Sequence, residues 1–163
     1  MEPFPHYYAV TAAAGGQGEI SLQSRGVQPL RSAAPRQFGG PGDRWSPETL
    51  LVGAVADCFV LTFRAVAGLS RLDWVSISCD VEGTVQRIDG VTRFTRVLVR
   101  PRLRMVEGAD PTAAYRVLAR TEQNCLVTRS LNADVQFEPD VEVVAAAGVS
   151  RDVAEPAGAG SPS

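Results

Sequence analysis

Two stretches of the chain repeat apolar residues at steps of three and four, and others alternate apolar with polar, so helices and strands are both predicted. The first helix begins at Ser46-Pro47-Glu48: an N-cap residue, a proline at the first helical position and an acid in the first turn. It should run to about Leu69, with Leu51, Ala54, Val55, Cys58, Leu61, Thr62 and Ala65 facing inward and Asp57 and Arg64 facing away. Asp110-Pro111 opens a second helix by the same logic, with an inward stripe of Ala114, Val117, Leu118, Thr121 and Cys125.

Strands are predicted between the helices. Residues 74–85 alternate, Asp89-Gly90 makes a turn, and Phe94 to Leu103 alternates again. The second of these places Arg93, Arg96, Arg100, Arg102 and Arg104 on one face, a solvated face opposite Asp80, Glu82 and Asp89. A last strand is expected from Asp134 to Val144. Near the N-terminus, weaker patterns over residues 6–14 and 18–24 flank a hairpin turn at Gly15-Gly16-Gln17-Gly18. Residues 25–45, rich in Gly, Pro and Arg, look like one long connection, a length more often functional than idle. Residues 1–144 thus read as a single domain, and the Ala-, Gly-, Pro- and Ser-rich residues 145–163 as a disordered tail.

Composition narrows the function. A chain of 163 residues can bury a real core, and its 45% hydrophobic and 21% charged shares suit a globular protein. The net charge of -2 gives no basic footprint for nucleic acid and no polybasic membrane anchor. All 16 basic residues are arginine, so no lysine is present to form a Schiff base. The first residues lack a charged region followed by an apolar run, and no stretch was expected to supply the ~20 apolar residues of a membrane span. A cytoplasmic location is therefore expected, where three cysteines would be buried, metal-bound or catalytic rather than a disulfide framework. His6 is the only histidine and the cysteines show no CxxC spacing, so neither a metal nor a cofactor is expected.

Each predicted helix puts one cysteine on its inward face, and both faces must pack on the same sheet. Burial alone would explain either thiol, since free cysteine is among the most buried residue types. Their sequence context adds more. Phe38-Gly39-Gly40-Pro41-Gly42-Asp43-Arg44-Trp45-Ser46-Pro47-Glu48-Thr49-Leu50 leads to Ala56-Asp57-Cys58, and Arg120-Thr121-Glu122-Gln123-Asn124-Cys125-Leu126-Val127-Thr128 surrounds the second cysteine. Together these segments resemble the OsmC/Ohr family, in which a Gly-rich loop enters a Pro-Glu-x-Leu helix carrying a reactive cysteine ten residues after the glutamate. The element order from residue 6 to 144 also fits.

The resemblance implies an α+β fold, an antiparallel sheet packed on two main helices, in an intertwined homodimer. It also implies a thiol-dependent peroxidase acting on organic hydroperoxides, with Cys58 attacking peroxide and Cys125 resolving the product, and a dihydrolipoyl-type dithiol as reductant. A member without turnover, binding a small molecule or sensing redox state, is the alternative. In the family a glutamate at the place of Glu48 holds an arginine that reaches the sulfur. Glu48 could not do so itself, because ten helical residues rise ~15 Å and turn the side chains roughly 80° apart. Ohr-type members carry that arginine in a Gly-Arg-x-Gly turn, but Gly15-Gly16-Gln17-Gly18 has none. OsmC-type members have one before the Gly-rich loop, where Arg36 stands, with Arg25, Arg31 and Arg44 in the same connection. Asp57 precedes the reactive cysteine and Leu126 follows the second, each a departure from the usual family residue. Cys79 has no family counterpart and reads as a structural thiol in a strand.

Overall fold

The computed structural model describes residues 2–145, so the expected C-terminal tail lies outside the described residues apart from Ala145. The chain forms two compact units divided between Gly53 and Ala54.

In the first unit, strands β1 (Thr11–Ala13), β2 (Ile20–Gln23) and β3 (Leu30–Ser32) pair antiparallel in that order. The first two are the expected hairpin. The third was read as part of a long connection, because three residues are too few to show alternation. The connection is further organised by a 3-10 turn at Arg36–Phe38 and by a bridge between Ser32 and Trp45. Helix α1 (Pro47–Ser70) then begins where its sequence indicated. Ser46 Oγ accepts the Thr49 N–H at 3.2 Å while Thr49 Oγ1 accepts the Ser46 N–H at 2.8 Å, a reciprocal cap with threonine in place of the usual acid.

The second unit contains the remainder of α1, strands β4 (Ser76–Ile88) and β5 (Val91–Val106), helices α2 (Pro111–Asn124) and α3 (Leu126–Arg129), and strands β6 (Asp134–Phe137) and β7 (Asp140–Val144). β4 and β5 form a long antiparallel hairpin through Asp89 (φ 52°) and Gly90 (φ 80°), the two left-handed residues that a tight hairpin turn demands. The predicted final strand is two strands, separated at Glu138-Pro139, and both run parallel to β5. The sheet is therefore mixed rather than antiparallel throughout. Pro101, which has no N–H to donate, falls where β5 changes partner, between Val99 beside Phe137 and Arg102 beside Asp140.

The arginines of β5 face carboxylates on neighbouring strands: Arg100 meets Glu82 at 2.7 Å and Glu138 at 3.1 Å, Arg102 meets Asp80 at 3.0 Å, and Arg104 meets Glu142 at 3.2 Å. All are exposed pairs that add little stability singly. They mark the wet face of the sheet. On the opposite face Val97, Val99, Leu103 and Met105 join Val55, Phe59, Phe63, Val66 and Ala67 of α1 and Ala114, Val117 and Leu118 of α2 in one core.

The inward stripe of α2 is the predicted one, with Asp110 accepting the Thr112 N–H at 2.8 Å as its N-cap. That of α1 is not. Leu61 is 54% exposed and Ala54 and Ala65 are also exposed, while Phe59 and Phe63 are fully buried. The helix is apolar around most of its girth, so spacing could not choose a face. The aromatics chose it, because they bury the most area per residue. Phe59 packs on Phe137 with ring centroids 5.8 Å apart, and Phe63 meets the edge of Trp74 at 5.3 Å. By length and composition α1 is also apolar enough to cross a bilayer, which the sequence reading had not allowed for. Five of its residues form core instead. Replacing Phe59 with alanine should lower the unfolding free energy by about 3–5 kcal/mol in a denaturant titration, whereas Leu61→Ala in the isolated chain should cost under about 1 kcal/mol.

Candidate active site

Cys58 lies on α1 at the rim of the buried stripe, half-buried, with its sulfur 4.0 Å from Thr62 Oγ1. This corrects the expectation that Cys58 faces fully inward. A rim position leaves the sulfur reachable while the neighbouring Phe59 remains in the core. Cys125 was expected within the second helix, and instead it is the extended residue (φ -69°, ψ 108°) between α2 and α3. It ends one helix, where its N–H donates to the Glu122 carbonyl at 3.2 Å, and caps the next. Its carbonyl accepts from Thr128 Oγ1 at 3.0 Å and from the Arg129 N–H at 3.2 Å. The side chain is fully buried.

The structure brings these two thiols together. Cys125 is pushed above its ordinary pKa first by burial and further by direct contact with the Cys58 side chain, while the backbone and side chain of Thr128 act the other way. One thiol on α1 at the rim and one buried at the joint between α2 and α3 form a pair that can exchange a proton or join in a disulfide. None of the three cysteines is joined in a disulfide among the described residues.

Cys79 is the thiol whose surroundings the sequence did not reveal. On β4, Ile77, Cys79 and Val81 pack against the core while Asp80 turns outward to Arg102. Burial first, then Asp80 and Cys125, push the Cys79 thiol up to about 12. The alternation around residue 79 was visible from the outset, but its neighbour was not. Thr128, buried beside Cys125, likewise carried no signal beyond its place in the second motif. Among the described residues, no group of three or more His, Cys, Asp or Glu side chains is gathered as metal ligands would be.

The remaining site candidates belong to the first unit. Glu48 is half-buried in the first turn of α1, and its Oε2 is buried without a hydrogen-bond partner. Among the described residues it makes no salt bridge. Arg31 and Arg44 are both engaged by Glu19, whose carboxyl they hold below its ordinary value. Arg36 is exposed and lies over Gly42, where φ is 77° and an added Cβ would overlap the arginine side chain. The glycine serves two ends at once, a left-handed turn and a seat for the arginine. Neither Arg36 nor Arg25 is paired with Glu48.

Comparison with known proteins decides the family. The OsmC-like protein family model matches residues 40–140, which is most of the second unit together with the Gly-rich loop and both cysteines. The chain belongs to the OsmC-like family. This OsmC-like protein is 23% identical over 141 residues to YmaD, an uncharacterized protein of Bacillus subtilis (strain 168), covering 85% of this chain and 94% of the relative. Its fold is that of an OsmC-like protein of unknown function from Vibrio cholerae, with a TM-score of 0.75 at 16% identity over 83% of this chain and 99% of the other. It also matches OsmC of Legionella pneumophila, an organic hydroperoxide resistance protein, with a TM-score of 0.68 at 22% identity over 86% of this chain and 100% of the other. The α+β fold expected from the two cysteine motifs is thus the fold observed.

The raised thiol of Cys79 has a consequence for stability. In the unfolded chain it loses its proton near its ordinary value of 9.0, but in the folded chain it keeps it to about 12. The folded state therefore binds the extra proton in this window, and stability should fall as pH rises from about 9 to 12. A series of denaturation midpoints over that range should show the fall, and Cys79→Ala should flatten it.

Proposed function

We propose that this OsmC-like protein is a peroxidase that reduces organic hydroperoxides to alcohols, with Cys58 as the attacking thiol and Cys125 as its resolving partner. The observation that carries this reading is the contact between the Cys58 side chain and the buried Cys125. A thiol at the rim can meet a substrate, and a buried thiol beside it can close the cycle before further oxidation.

The chemistry follows from the pair. The Cys58 thiolate attacks one peroxide oxygen, the O–O bond breaks, and the alkoxide leaves as an alcohol after taking a proton. Cys58 now bears a sulfenic acid. The Cys125 sulfur displaces its hydroxyl as water, and a Cys58–Cys125 disulfide forms. A dithiol, of dihydrolipoyl type in this reading, then restores both thiols by exchange. Substrates with hydrocarbon tails are favoured over hydrogen peroxide in this reading, since Leu61 and Leu126 are exposed three and one residues along the chain from the two cysteines. The name of the Legionella relative supports the same substrate class.

Attack needs a cation to favour thiolate, and here Glu48 and Arg36 enter. An unpartnered buried carboxylate oxygen is costly, and a guanidinium is the donor that best completes it, since its fork binds carboxylate and sulfur together. We assign this part to Arg36, which carries no carboxylate of its own, rather than to Arg31 or Arg44, which are held by Glu19. The protein acts as a homodimer in the cytoplasm in this reading. The exposed apolar residues support the dimer: Phe4, Tyr7 and Tyr8 of the first unit are each more than 80% exposed, and Leu69 of the second is 78% exposed.

A second reading, a redox-sensing or small-molecule-binding member without efficient turnover, is favoured by one observation, that among the described residues no arginine is paired with Glu48. The two separate in one experiment. With cumene hydroperoxide and a dihydrolipoyl dithiol, the wild type should turn over many equivalents, Cys58→Ser should lose activity by at least about 10³-fold, and Arg36→Ala by about 10–100-fold. Slow consumption in wild type, unchanged by Arg36→Ala, would establish the second reading instead.

A further inference from the structure

The peroxidase reading leaves idle the one hydroxyl that lies beside the attacking sulfur. Thr62 stands four residues after Cys58 on α1, about one turn on and roughly 40° round the axis, so the two side chains share one flank of the helix. Both residues are half-buried, and Thr62 Oγ1 lies 4.0 Å from the Cys58 sulfur. The nearest charged residues of α1, Asp57 and Arg64, are exposed and lie roughly 100° and 120° round from Cys58. On its own helix, the thiol therefore has Thr62 as its adjacent donor.

The direction of that hydroxyl is unusual for a helix. A helical threonine or serine ordinarily donates back to the carbonyl three or four residues earlier. Thr121 does so to Val117 at 2.8 Å, Thr128 to Cys125 at 3.0 Å and Ser130 to Leu126 at 2.9 Å. Thr62 does not: among the described residues, its Oγ1 has the Cys58 sulfur as its one hydrogen-bond neighbour. At 4.0 Å the two atoms are not in close contact. The gap admits one further oxygen atom, bonded to the sulfur on one side and accepting a hydrogen bond of about 2.8 Å from Oγ1 on the other, with the two links meeting at an obtuse angle.

We propose that Thr62 is a catalytic residue, one that holds the oxygen passing from the hydroperoxide to Cys58. The inference rests on the peroxidase reading for its substrate. As the Cys58 thiolate attacks, the S–O bond forms and the O–O bond breaks. The sulfur is oxidised by two electrons, and the alkoxide leaves and takes up a proton. The Thr62 hydroxyl donates to the transferred oxygen, which carries negative charge while it is shared between sulfur and departing alkoxide. Threonine keeps its own proton throughout. When Cys125 then attacks the sulfenic acid, this oxygen departs as water with the proton of the Cys125 thiol, and Thr62 again donates to it as it leaves. A donor fixed one helical turn from the sulfur needs no rearrangement for either step.

Two variants of the full-length protein test this, Thr62→Val, which removes the hydroxyl with little change of shape, and Thr62→Ser, which keeps it. Loss of the Cys58 thiol is followed by rapid quench and peptide mass mapping, with cumene hydroperoxide and, separately, with hydrogen peroxide. The valine variant should be oxidised about 10–100-fold more slowly than wild type, and the serine variant within about threefold of it. Iodoacetamide attaches carbon to the same sulfur and delivers no oxygen, so alkylation of Cys58 should stay within about twofold in both variants. A valine variant as fast as wild type with hydrogen peroxide, a serine variant as slow as the valine one, or alkylation slowed as much as oxidation would overturn the inference. Hydrogen peroxide oxidises any reachable thiolate, so this comparison stands even where cumene hydroperoxide leaves wild type untouched. That last result strikes the peroxidase reading alone.

Discussion

The second unit depends on one packing contact above others: the burial of the Val55, Phe59, Phe63 and Val66 stripe of α1 against the sheet. That contact fixes the rotation of the helix about its axis. At 100° per residue, Cys58 then falls roughly 95° from the centre of the stripe, on the rim and not under the core. A helix rolled to bury Leu61 and Ala65 instead would have carried Cys58 inward and away from any substrate. The aromatic pairings of Phe59 with Phe137 and of Phe63 with Trp74 are what oppose that roll.

From this rotation the chemistry of the site follows. Cys125 is held in the core by the complete apolar stripe of α2, then released from helical geometry at the joint with α3. The two sulfurs consequently meet with unequal access to solvent. That inequality is what a two-thiol cycle needs: one group exposed enough to be oxidised, the other protected until it is wanted. The strand beneath adds Cys79 on the inner face of the same sheet whose outer face is tied by exposed arginine–carboxylate pairs.

What could be read from the chain alone was local. Ser46-Pro47 and Asp110-Pro111 start their helices because capping involves three or four consecutive residues. Asp89-Gly90 turns because both residues accept left-handed backbone. The α2 stripe was legible because its apolar residues are few among polar ones, while α1 offered too many apolar residues to orient it. Strand β3 and the break between β6 and β7 depend on partners far along the chain, and parallel pairing leaves no turn to reveal it. The cysteine pair was legible through its two flanking motifs, whereas the burial of Cys79 against the core is a product of tertiary packing. The arginine is the opposite case. Its motif is incomplete in the sequence, and within the first unit Glu48 stands without one.

The central claim is that Cys58 and Cys125 form a reversible disulfide driven by an organic hydroperoxide. A crystal structure of the protein frozen shortly after one equivalent of cumene hydroperoxide tests it most directly. The account predicts continuous density between the two sulfurs at about 2.05 Å, with Cys125 turned toward α1 and Phe59 unmoved. A Cys58 carried on to sulfinic acid beside a free Cys125, or two untouched thiols, would contradict it.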